Sequence, residues 1–105
     1  MQADVSFEDA VAELSLEQRV SGGTILQVLL VNDDYTPMEF VADTLSNVFE
    51  IDEASASSLM MLAHYDGKAL CGIYPESIAE AKAHEVVEEA RKNGHPLLCV
   101  TQKLF

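Results

Sequence analysis

The sequence predicts an α+β fold of order β-α-α-β-α-β, in which one three-stranded sheet is covered by three helices in two layers. Three observations predict it. The runs ILQVLLV, KALCGIY and PLLCVT have strand length, and turn-forming residues flank the first two and precede the third. The stretches between them repeat apolar residues at helical spacing. The chain has 105 residues, 49% of them hydrophobic, which is enough for one small core.

Residues 1–24 read as a flexible acidic N-terminal arm and residues 25–105 as the folded domain. The arm holds five acids and one base. Phe7, Val11 and Leu14 fall at i, i+4 and i+7, and Ser6 fits the cap of a short helix. Such a helix is too short to be stable alone. Ser21-Gly22-Gly23 reads as a joint. The arm is either a loose terminus or a segment that docks on a partner.

Ile25–Val31 is aliphatic and β-branched, and Asn32-Asp33-Asp34-Tyr35 breaks it. Thr36-Pro37-Met38-Glu39 opens a helix: Thr36 fits the N-cap, Pro37 the first turn, and Glu39 completes a capping box. Met38, Val41, Leu45, Val48 and Phe49 continue the stripe. A second helix starts near Asp52 or Glu53 and stops at Gly67. Lys68–Tyr74 is the second strand. Pro75-Glu76 opens a third helix that runs to Gly94, with Ala79, Ala83, Val86, Val87 and Ala90 on its buried side. Pro96–Thr101 is the last strand.

Eighteen acids against six bases give a net charge of −12. That disfavours nucleic acid and anionic membranes, which both need basic surfaces. A partner with a positive end fits better. No segment has the pattern of a signal peptide or a membrane span. Cys71 and Cys99 lie in apolar runs without a C-x-x-C companion, as reduced buried thiols do. No metal-ligand spacing, nucleophile elbow or glycine-rich phosphate loop is present, so no catalytic residue, metal or cofactor is expected. A small hydrolase using Asp33, Asp34 and His64 would lack both nucleophile and metal set.

Asn32, Asp33 and Asp34 are either an Asx-type turn that ends the strand or a site for a cation. Met38, Val41 and Met60 are core residues by default, although methionine also suits adaptable pockets. His64 follows Met60 by four residues and so shares its helix face.

The segments VLLVNDDYTPMEFV, LMMLAHYDGKALCG, AEAKA and HPLLC, in this order, resemble the ClpS family. Its members are adaptors that deliver N-degron substrates to a Clp AAA+ unfoldase and its peptidase. The resemblance runs from about Ile25 to Thr101 and implies an antiparallel three-stranded sheet with three helices. It implies that Asn32, Asp33 and His64 receive the α-amino group of a substrate. Thr36, Pro37, Met38, Val41, Met60 and Leu97 would form the pocket for its first side chain, with Asp34 on the rim. Lys82 matches a family contact with the unfoldase. The glutamate usual near that helix start appears as Ser77, with Glu76 just before it. The expected partners are a ClpA- or ClpC-like unfoldase and proteins beginning with Leu, Phe, Tyr or Trp. The implied compartment is a bacterial cytosol or a plastid stroma. The alternative within the family is a regulator of the unfoldase with altered substrate preference.

The resemblance agrees with the charge. A free α-amino group is mostly cationic at neutral pH and carries three donors. Acetylation removes the charge and two of the donors, so an acetylated terminus should be rejected.

Overall fold

Ile25–Val31 forms the central strand, β1, because it is the most continuously aliphatic of the three runs. Lys68–Pro75 (β2) and Leu98–Lys103 (β3) flank it, and both pairings are antiparallel. The structure, a computed structural model, describes residues 24–104. The predicted arm, with its Ser6 cap and its Phe7, Val11, Leu14 stripe, lies outside the described residues except for Thr24.

Between the strands come three helices in the predicted order: α1 (Met38–Phe49), α2 (Glu53–Asp66) and α3 (Glu76–Lys92). Leu26, Val28 and Leu30 alternate toward the helices and meet Val41, Leu45 and Val48 of α1, Leu59 of α2 and Val86 of α3 in one core. Ala56 and Ala63 on α2 and Ala79, Ala83 and Ala90 on α3 are buried, and their small side chains let those helices lie close to their neighbours. The opposite sheet face holds a smaller cluster of Ile73 with Ile25, Leu70 and Leu104. Cys71 and Cys99 are free and buried on the core face. A hydrogen bond with the Cys99 thiol, together with burial, holds the Cys71 thiol well above its ordinary range.

Four local expectations are corrected. Thr36 does not cap α1: Pro37 takes the cap position and no side chain caps the helix. The Thr36 hydroxyl donates instead to the Asp33 carboxylate, a stronger acceptor three residues back. The second strand runs one residue further than predicted, to Pro75, which lies opposite Ile25. The third helix ends at Lys92 rather than Gly94. There the Asn93 and Gly94 amides close onto the Ala90 and Arg91 carbonyls, and Gly94 turns the chain at φ +74°. The last strand begins at Leu98, not Pro96, because proline has no N–H for the ladder. It runs on to Lys103, which pairs with Leu26.

Candidate functional site

The site lies where β1 ends. The Asn32 amide donates to the Gly67 carbonyl (2.9 Å), which fixes the start of the β1–α1 loop beside the end of α2. Gly67 can serve there because it adopts φ +89°, where a side chain would be strained. Its own amide closes α2 onto Ala63 at 2.8 Å. The loop and the last turn of α2, which carries His64, are thereby held together.

Asp33 organises the loop. Its carboxylate accepts a hydrogen bond from the Tyr35 amide at 2.9 Å and another from the Thr36 hydroxyl. Thr36 is only 6% exposed, so this bond also satisfies a buried hydroxyl. Partial desolvation raises the Asp33 carboxyl. The bonds from Thr36 and Tyr35, with the charge of His95, outweigh it and hold the group below its ordinary value. Asp33 is therefore a carboxylate at neutral pH. A carboxylate has about four acceptor positions, so two loop bonds leave it able to accept more.

Behind the loop a cavity of about 120 Å³ opens between α1, α2 and the segment before β3. An apolar cavity of ~150 Å³ accepts a benzene ring, so this one has the scale of a single large side chain. Asn32, Asp33, Asp34, Thr36, Met38, Val41, Met60, His64 and Leu97 all line it. The structure thus brings together every residue that the sequence assigned to the amino-group site, the side-chain pocket and the rim, except Pro37. Pro37 is exposed at the cap position just ahead of α1 and does not border the cavity. Val41 and Leu97 are buried walls, and Met38, 55% exposed, stands at the mouth. His64 is exposed, and its ring meets Tyr65 edge-on at 5.3 Å.

Leu30, Val31, Met61 and Ala63 also line the cavity and were not assigned to it. Ala63 was within reach of sequence reasoning, since it follows Met60 by three residues on the same helix face. Leu30 and Val31 carried no such signal, because an aliphatic strand end looks the same whether it faces core or cavity.

The two residues expected at the unfoldase surface lie on α3, away from the cavity. Glu76 is exposed, and its amide donates to the Thr24 carbonyl at 2.9 Å. Lys82 is half-buried. Its ammonium donates to the Val48 carbonyl at 2.9 Å and lies 5.7 Å from the Phe49 ring centroid and 5.3 Å from that of Tyr74. Among the described residues no group of three His, Cys, Asp or Glu side chains is placed to hold a metal ion.

The family model for ATP-dependent Clp protease adaptor protein ClpS matches residues 24–100. An ATP-dependent Clp protease adapter protein ClpS of Herminiimonas arsenicoxydans is 43% identical over 100 residues, covering 95% of this chain and 98% of that protein. The protein of the same name from Sodalis glossinidius is 48% identical over 96 residues, 91% of each chain. The solved structure of Agrobacterium tumefaciens ClpS2 bound to L-phenylalaninamide is similar with a TM-score of 0.76 at 38% identity, covering 77% of this chain and 98% of that one.

Proposed function

The chain belongs to the ClpS family of Clp protease adaptors, and from that premise we propose that its cavity binds the free N-terminal residue of N-degron substrates. The protein then delivers them to a ClpA- or ClpC-like unfoldase for degradation. The observation that carries this reading is the pairing of an ionised, preorganised carboxylate with an apolar cavity of one-side-chain size. Phenylalaninamide, the ligand of the Agrobacterium relative, has the same two parts: a free amino group and a large apolar side chain.

The α-ammonium group enters at the loop. Asp33 and the Asn32 side-chain oxygen accept two of its N–H donors, and a neutral His64 nitrogen accepts the third. The first side chain goes into the cavity, against Val41, Met60 and Leu97, with Thr36 at its edge. Asp34 stands on the rim, toward the following residues. Burying a Leu or Phe side chain contributes about 1.5–3 kcal/mol. Each hydrogen bond to a charged group contributes about 1.5–3 kcal/mol. Ordering the peptide end costs several kcal/mol. The remainder corresponds to roughly micromolar binding, tight enough to capture and loose enough to hand on. No step of this account involves bond making, so the protein acts as a carrier and not as an enzyme. It works wherever a Clp machine works, in a bacterial cytosol or a plastid stroma.

Reconstitution tests the reading. A reporter beginning with Leu should be degraded by the unfoldase and peptidase faster when this protein is added, and the same reporter with an acetylated terminus should not. Equal degradation of the two would contradict it.

A further inference from the structure

Among the described residues every helix packs on one face of the sheet, the face of Leu26, Val28 and Leu30. The other face carries no helix. Pairing fixes what it holds, since the side chains of partnered residues share a face. Val31 stands between Lys68 and Leu98, and Leu29 between Leu70 and Val100. Leu98 is 50% exposed and Val100 39%. Ile73 is buried toward the other end of the face, packed with Ile25, Leu70 and Leu104. The result is an apolar row across three strands, about 10 Å wide, that lies open on its β3 side.

We propose that residues 1–23 of the same chain cover this row, with Phe7, Val11 and Leu14 laid against Leu98 and Val100. The described chain begins at Thr24, whose carbonyl accepts from the Glu76 amide at 2.9 Å. The next residue, Ile25, already belongs to the outer cluster, so the segment leaves from the margin of this face. Phe7, Val11 and Leu14 are spaced at i, i+4 and i+7. In a helix that stripe spans about 10 Å, the width of the apolar row. Leu14 and Thr24 are ten positions apart, a stretch that reaches up to about 33 Å. Leu29, level with Val100, lies only about 13 Å along β1 from Ile25. Charge favours the same occupant. The three strands hold two lysines and no acid, in a chain of eighteen acids and six bases. Lys68 stands on the outer face itself, and the segment has five acids and one base. A second copy of the chain, at −12, would be repelled. Three apolar side chains bury little area against the cost of ordering the segment, so the docking is reversible. A segment held in this way is stored on the domain and remains available for release. The inference does not depend on what the cavity binds.

The experiment is methyl NMR on the full chain. Wild type is compared with the triple variant Phe7→Ser, Val11→Ser, Leu14→Ser, which keeps every charge of the segment. Thermal melts establish that the domain is folded in both. In wild type the Phe7 ring should show cross-relaxation to methyls of Leu98 or Val100. The variant should lose that signal, and its Leu98 and Val100 methyl resonances should shift. A sample that mixes differently labelled chains separates contacts within one chain from contacts between copies. Absence of Phe7 contact to both residues, or identical methyl shifts in the two proteins, would overturn the inference. Contacts found only between copies would also overturn it, because a second molecule would then be the occupant. Titration of wild type with a Leu-initiated peptide reports separately on the proposed function, and its failure would leave the NMR result standing.

Discussion

The Asp33 carboxylate makes two loop hydrogen bonds, from the Tyr35 amide and the Thr36 hydroxyl, before any ligand arrives. Asp33→Asn keeps an acceptor oxygen in nearly the same shape and removes the charge. Calorimetric titration with a Leu-initiated peptide should show a loss of about 1.5–3 kcal/mol. The stability effect has a definite sign. The carboxyl titrates lower in the fold than its ordinary 3.8, so the ionised form stabilises the fold above that pH, and the contribution is lost as pH falls through the folded value. The stability difference between wild type and Asp33→Asn, followed by urea unfolding, should therefore shrink in acid. At the mouth, Met38 is half exposed, so Met38→Ala costs the core little. It opens room beside the ligand Cβ, and Ile- or Val-initiated peptides should bind better relative to Leu. A constant Leu-to-Ile ratio in competition titrations would take Met38 out of the specificity account. The sequence made Asn32, Asp33 and His64 conspicuous because polar groups interrupt apolar patterns there. It misjudged Thr36 because a cap and a loop hydrogen bond demand the same hydroxyl, and only the fold decides which acceptor is nearer.

At the scale of elements, three strands and three helices were legible because each buried face repeats at the period of its own structure. The ends were less so. Nothing in the polar pair Gln102-Lys103 signals a strand; it is extended because β1 offers a partner as far as Leu26. The link between α1 and α3 was also invisible, since Lys82 and Val48 are 34 residues apart. Lys82 was expected to face a partner, yet its ammonium satisfies a carbonyl of the last turn of α1 and lies against two aromatic rings. Lys82→Met keeps most of the stem and removes the charge. It should lower the urea midpoint by the equivalent of about 1–2 kcal/mol. An unchanged midpoint would show that the contact adds nothing to stability and that the residue is available to an outside partner.

At the scale of the whole molecule, recognition and delivery are separate tasks. Recognition is proposed to rest on residues 25 onward, where every group assigned to the cavity lies. Delivery is proposed to use the acidic N-terminal segment as a tether, and a chain of this length spans tens of ångströms, on the order of 5–6 Å times the square root of its length. Deleting residues 1–20 should leave peptide affinity nearly intact and slow degradation of a Leu-initiated reporter by the reconstituted machine. Full degradation by the truncated protein would make the segment dispensable. The charge of −12 was legible at once and pointed toward a cationic partner. The proposal that the cation is a chain terminus could not be read from charge, because it depends on an apolar cavity assembled from two helices and the approach to a third strand. The measurement that tests this most directly is a titration with peptides identical except in their first residue and in acetylation. Free Leu, Phe, Tyr and Trp termini should bind near micromolar Kd, Ile and Val at least about tenfold more weakly, and acetylated Leu not measurably. Comparable binding of free and acetylated Leu peptides would contradict the assignment of the site.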